Sequence, residues 1–373
     1  MQEGIILVTK STQNKTLSKN QKLCKKGEIT SFVNSKCRIH NIFDLEKVNF
    51  FDMGEALKEL KPLPSTGAEI LSIIRENDMR GLSGSAFPAA EKIEAVAKSN
   101  FGRKYFVING VECDPGLMHD EWLLKNKKEL VELGITAVKK TCNFYRSVLV
   151  TRLAEDVKNA ETISVDYGYP LGEERTLIKT ALGITIPKEE SPAENGILVL
   201  NLQTVLSIGL AASGQKVDSR YLTVANLEDG VAKVVRAPFG ISTKEILTKV
   251  FGEKAELNAY AGGGVMNAYP IEELPKLGYE TCFIAYARPI RMQDPSLCDT
   301  CGDCEDLCPK DIPVMGIIRA WELSGKTKHI SRARLKIYDS MDIYDELNKC
   351  LHCRACTYLC PKGIDPLKLL FKD

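Results

Sequence analysis

Residues 298–308 read CDTCGDCEDLC and precede Pro309; residues 350–360 read CLHCRACTYLC and precede Pro361. Each is a C-x₂-C-x₂-C-x₃-C-P run, and together they hold eight of the chain's thirteen cysteines. This is the ferredoxin spacing for [4Fe–4S] clusters, in which the fourth cysteine of each run ligates the other cluster. The spacing therefore predicts Cys298, Cys301, Cys304 and Cys360 on one cluster, and Cys350, Cys353, Cys356 and Cys308 on a second. Zinc needs only paired C-x₂₋₄-C ligands. Disulfides belong to exported chains, and the start MQEGIILVTKS has neither the basic head nor the apolar stretch of a signal peptide. Zinc and disulfides remain the alternatives to iron.

The 373 residues suffice for two or three domains. Apolar residues make up 44% and charged residues 27%, as in ordinary globular proteins. Fifty basic and forty-nine acidic residues leave a charge of +1, which gives no electrostatic case for nucleic acid. No apolar run is long enough to cross a bilayer; the nearest, 196–212, is interrupted by Asn201, Gln203 and Thr204. A reducing cytoplasm is the expected location, with any membrane contact made through partner proteins.

Upstream, residues 4–9 suggest a strand, 10–26 a lysine-rich surface stretch, and 51–60 a short helix before Pro62 and Pro64. From Thr66 the pattern alternates helix and strand. A Gly/Ser loop at 81–88 leads into a helix opening near Pro88, an arrangement that suits an anion. The strand 105–108 ends in a polar turn holding Asn109, Glu112 and Asp114, at the edge where open α/β sheets bind ligands. Further helices are expected over 121–140 and 154–160 and from Glu173–Glu174 to Gly183, where the carboxylates also suit the helix dipole. A strand is expected over 147–152, and strand then helix over 196–213. Strands at 221–225 and 231–236, a helix at 243–251, a Gly262–Gly264 loop and a strand at 281–287 suggest a β-grasp unit. Residues 314–323 and 337–348 read as helices between the cysteine runs. Cys24, Cys37 and Cys113 read as ordinary packing or surface thiols. His40, His119, His329 and His352 lack paired spacing and receive no catalytic role.

These features resemble the flavoprotein subunit of respiratory complex I. They are more closely similar to the C subunit of the Rnf electron-transport complex and its soluble relatives, which include a cobalamin reductase. The resemblance covers roughly residues 64–373. It implies an N-terminal segment of unclear fold at 1–63 and an α/β FMN/NADH-binding domain at 64–215. An SLBB β-grasp domain at 216–289 and an α-helical ferredoxin domain with two [4Fe–4S] clusters at 290–373 follow. The family loop G-x-G-G-x-x-F-P-x-x-x-K reads Gly81, Ser83, Gly84, Phe87, Pro88 and Lys92, with Ser83 replacing a glycine. Asn109, Glu112, Asp114 and Pro115 match N-x-x-E-x-E/D-P. Tyr169, Gly172, Glu173 and Glu174 match Y-x-x-G-E-E, and Asn201 and Thr204 match N-x-x-T.

By this resemblance Gly81, Ser83 and Lys92 face the phosphate or ribityl chain of FMN. Asn109, Glu112, Tyr169, Gly172, Glu173, Asn201 and Thr204 line the rest. Phe87, Asp114 and Glu174 lie where NADH stacks. The implied protein is an NADH:acceptor oxidoreductase subunit that passes electrons through FMN and two clusters to a redox partner in a multi-subunit complex. An electron relay without NADH binding, with or without FMN, and a corrinoid reductase are the competing implications.

Overall fold

The computed structural model describes residues 41–166, 168–187, 189–288, 294–323 and 349–366. The expected strand at 4–9, the lysine-rich stretch, Cys24, Cys37, His40, His329 and the helix at 337–348 lie outside the described residues.

In chain order the strands are β1 (Asn49–Asp52), β2 (Tyr105–Gly110), β3 (Arg146–Thr151), β4 (Glu161–Ser164), β5 (Ile197–Asn201), β6 (Ser219–Asn226), β7 (Val231–Pro238), β8 (Asn258–Gly264), β9 (Asn267–Pro270) and β10 (Phe283–Ala287). The helices are α1 (Gly67–Glu76), α2 (Ala89–Lys98), α3 (His119–Asn126), α4 (Lys128–Thr141), α5 (Glu174–Leu182), α6 (Leu202–Ala212), α7 (Thr243–Phe251), α8 (Asp303–Asp306), α9 (Val314–Leu323) and α10 (Ala355–Tyr358).

Strands β4, β3, β2 and β5 form a parallel sheet in that order. Its strands are near-continuous apolar runs because both faces are covered. On one face α4 and α6 cross at backbone contact: a Cβ on Gly134 would lie 2.0 Å from Val205 O. Only glycine fits there. Helix α1 opens on a capping box, Thr66 with Glu69.

The second sheet runs β1-β7-β6-β10-β8-β9. Its β6–β7 hairpin is antiparallel and turns at Gly230, while β10 returns parallel to β6. Helix α7 packs its buried Ile246, Leu247 and Val250 on this sheet. Two short helices, α8 and α10, carry the cysteine runs around a small apolar core of Ile312, Val314, Ile317, Ile318 and Ile364.

Four expected elements differ. Residues 51–60 are not helical: Phe51 and Asp52 end β1, which pairs with β7, and Phe50 stacks on Trp122 at 4.5 Å. The expected helix over 121–140 is two helices, broken at Lys127, whose φ of −136° leaves the helical region. Residues 154–160 turn rather than coil, tied by Lys158 N–H to Glu132 Oε1 at 3.0 Å and by Asn159 in the left-handed region. Gly262–Gly264 is the end of β8, where a Cβ on Gly262 would meet Asn267 O at 2.1 Å.

Candidate functional site

The C-terminal ends of β2 and β5, the 81–88 loop and the start of α5 meet at one edge of the parallel sheet. Asn201 caps α6, its Oδ1 accepting from Gln203 N–H at 3.0 Å and Thr204 N–H at 3.3 Å. Thr204 Oγ1 then accepts from Leu82 N–H at 2.9 Å, which fastens the 81–88 loop to β5. Gly84 and Ala86 take positive φ there, and Gly81 N–H closes the loop on Phe87 O at 2.9 Å. Ser83 and Phe87 are left exposed.

Asn109 at the end of β2 donates to Gly172 O at 3.1 Å, drawing the 169–174 segment against it. A side chain on Gly172 would press on Cys113 Sγ. Tyr169 packs on the large apolar core that runs through both sheets. Glu173 caps α5, accepting from Thr176 N–H at 2.9 Å and Arg175 N–H at 3.1 Å. Burial would raise its pKa, but these bonds and Lys310 hold it below the usual carboxylate range. Lys92 reaches across from α2 to Glu174, 2.5 Å away. Among the expected site residues, the structure thus joins Thr204 with the loop, Asn109 with Gly172, and Lys92 with Glu174.

Two expected positions turn elsewhere. Both Asp114 oxygens are held by backbone amides: Oδ1 by Gly116 at 3.0 Å and Val265 at 2.9 Å, Oδ2 by Met266 at 3.2 Å. This carboxylate rivets the β2–α3 loop to the β8–β9 turn. Glu112 points inward and is 3% exposed. Its Oε2 accepts from Glu121 N–H at 3.1 Å, and its Oε1 lies 3.3 Å from His119 Nδ1.

Around Glu112 lies a buried polar network that the sequence does not announce. Asp120 Oδ2 accepts from Asn201 Nδ2 at 2.5 Å. Arg152 donates to Glu121. Arg220 is fully buried and donates to the carbonyls of Leu82 at 2.8 Å, Gly278 at 3.1 Å and Tyr279 at 2.6 Å. Burial, then the charges of Asp120 and Glu121, push Glu112 well above its ordinary pKa. Burial pushes Asp120 up to about 7 despite Asn201 and Arg220. Burial and Arg220 lower His119 to about 3, so its contact with Glu112 involves a neutral ring. Burial pushes Cys113 up to about 11, which fits a packing thiol. The available signal was the HDE triplet at 119–121 after the polar turn.

The cysteines divide between two adjoining cavities. Cys298, Cys301, Cys304 and Cys360 line one, with Cys356 at the shared wall. Cys308, Cys350, Cys353 and Cys356 line the other. The runs are built alike: Thr300, Gly302 and Asp311 take positive φ, as do His352, Arg354 and Gly363. Backbone N–H groups aim at sulfur, from Ile312 to Cys308 at 3.3 Å and from Ile364 to Cys360 at 3.4 Å. Burial pushes Cys304 up to about 12 and Cys353 up to about 11, so these thiols keep their protons until a metal displaces them. Cavities walled by thiols with amides on the sulfurs fit iron–sulfur ligation.

Comparison with known proteins finds two family matches. A family described as the Nuo51 FMN-binding domain matches residues 74–210, and a 4Fe-4S dicluster domain matches 297–364. The C subunit of the ion-translocating oxidoreductase complex of Vibrio cholerae is 26% identical over 280 residues. That match takes in 69% of this chain and 36% of the relative.

The chain is similar to Rnf-C-type flavoproteins.

The Rnf-C-like chain spans about a third of the length of the Vibrio relative. It is also similar to the cobalamin reductase PduS of Salmonella typhimurium, at 27% identity over 81% of this chain and 70% of that protein. Its fold is that of a chain in the crystal structure of an NAD⁺-reducing [NiFe]-hydrogenase, with a TM-score of 0.56 and 16% identity over 82% of this chain and 61% of that one. The Rnf-C-like chain carries an oxidoreductase's FMN-binding and 4Fe–4S parts. Among the described residues no helix is long and apolar enough to cross a membrane.

Proposed function

We propose that this chain is an NADH:acceptor oxidoreductase subunit that conducts electrons from NADH through FMN and two [4Fe–4S] clusters to a partner protein. The observation that carries the reading is the division of the eight cysteines between two adjoining cavities, one of them packed on the apolar core that the two sheets share. Leu307, Ala355 and Tyr358 share the apolar core that runs through both sheets, and Cys353 and Leu359 pack against it. The cavity of Cys308, Cys350, Cys353 and Cys356 is thus the inner one. The cavity of Cys298, Cys301, Cys304 and Cys360 is the outer one, with Cys301 exposed.

Bound FMN would supply the conversion of a two-electron hydride into single electrons. The chain's residues bind and orient. Lys92 offers the flavin phosphate its ammonium, beside Gly81 and Ser83 of the loop. Asn109, Tyr169, Gly172, Glu173, Asn201 and Thr204 shape the pocket, and Glu112 closes its buried side. Phe87, half exposed, and Glu174 remain placed for a nicotinamide. The hairpin β6–β7, helix α7 and return strand β10 support a β-grasp (SLBB) unit. Relatives are named as members of oxidoreductase complexes, which supports a redox partner in a multi-subunit assembly. We place the chain in the cytoplasm, at a membrane only through such partners.

Anaerobic titration with NADH tests the reading: both flavin and cluster absorbance should bleach. A second reading, a relay without NADH binding, is favoured by Asp114, whose oxygens are already engaged by three amides. In that case dithionite or a reduced ferredoxin, but not NADH, reduces the flavin. Similarity to a cobalamin reductase keeps a corrinoid acceptor among the substrates to assay.

A further inference from the structure

The network of Glu112, His119 and Asp120 has a shortfall that its own side chains do not meet. Each of the three is 3% exposed. Their ligand atoms lie within 4.8 Å of one another. Glu112 Oε1 and Asp120 Oδ1 are buried and find no hydrogen-bond partner among the described residues. A buried anionic oxygen without a partner is costly, so a positive species belongs between them.

The charges around the site decide which species. Glu112, Asp120 and Glu121 bring three carboxyl groups, while Arg152 and Arg220 bring two guanidinium groups. Arg152 is paired with Glu121. Arg220 spends its donors on carbonyls and on Cys282 Sγ, 3.3 Å away, so its charge acts on the site without touching it. His119 is neutral, and Cys282 is a buried thiol whose burial keeps it protonated. The excess is one negative charge. One proton closes it; a divalent cation overshoots and would sit in the field of Arg220.

We propose that Glu112, His119 and Asp120 form a buried proton-binding site that holds one proton between the two carboxyl groups, and holds it more tightly when the neighbouring pocket gains negative charge. A proton on Glu112 Oε1 faces His119 Nδ1 at 3.3 Å, a nitrogen that also lies 3.2 Å from Thr223 Oγ1. Asp120 Oδ2 touches Asn201, so the site borders the pocket assigned above to flavin. The coupling to the pocket's charge rests on that flavin reading; the resting proton does not.

The test is infrared spectroscopy of the full-length chain at neutral pH, with carboxyl-¹³C glutamate or aspartate incorporated. A protonated carboxyl band should appear above the amide region, shift in D₂O, and move with one of the two labels. Glu112→Gln and Asp120→Asn should each remove it, and label sensitivity decides the matter without a variant should either fail to fold. Absence of the band overturns the proposal. So does stoichiometric zinc or manganese that Glu112→Gln loses. On dithionite reduction of flavin-loaded protein the band should persist to higher pH than in the oxidised protein, and a band lost on reduction, or lost at the same pH as before, overturns the coupling. If the chain binds no flavin, the flavin reading fails while the resting band still decides the proton.

Discussion

Lys92 Nζ lies 2.5 Å from Glu174 Oε1, across the space between the start of α2 and the start of α5. Both side chains are partly exposed, so the pair itself adds little stability. Its effect is on ligands: the charge of the ammonium is shared with a carboxylate. Lys92→Met should weaken FMN binding about 10- to 100-fold, the value of a hydrogen bond to a charged group. Glu174→Gln should leave FMN binding equal or tighter and weaken NADH. Flavin fluorescence titration and NADH binding to the flavin-loaded chain measure the two.

The cysteine cavities predict which thiols act together. Cys360→Ser should alter the same electron paramagnetic signal as Cys301→Ser, although Cys360 belongs to the other run. Cys308→Ser should pair with Cys353→Ser. Signals that instead follow the order of the runs in the sequence would disprove the crossed ligation.

Gly264 and Asp114 predict a stability effect. A Cβ on Gly264 would lie 2.3 Å from the Asp114 carboxylate. Gly264→Ala should cost about 1–3 kcal/mol through overpacking. Asp114→Ala strips partners from three amides and should cost at least as much, at about 1–3 kcal/mol for each buried group left unsatisfied. Thermal unfolding should show both losses.

Asp120 predicts a pH dependence. Burial raises its pKa from 3.8 to about 7 in the folded chain. Between those values the folded state holds a proton that the unfolded state has lost, so this group's contribution to stability falls as pH rises through that window. Asp120→Asn should flatten the decline in denaturant midpoint between those pH values. A decline that survives intact would place its origin elsewhere.

The cysteine spacing was legible because cluster ligands sit in short local runs, and residues 298–308 and 350–360 need no distant partner to be read. The alternating helices and strands of 66–213 were legible from periodicity. Strand β1 was not: NFFD is only four residues long, and its stability comes from β7 and Trp122, far along the chain. The network around Glu112 was equally hidden, since Arg220 reaches it from the second sheet. Asp114 matched a family motif, yet Val265 and Met266, which take its oxygens, carry no motif of their own.

The Asp114 rivet has a mechanical consequence. By tying the β2–α3 loop to the β8–β9 turn, it gives the two sheets a fixed point of attachment beside the candidate site. Electron tunnelling decays steeply with separation, so a stiff frame keeps the donor-to-acceptor gap constant from one turnover to the next.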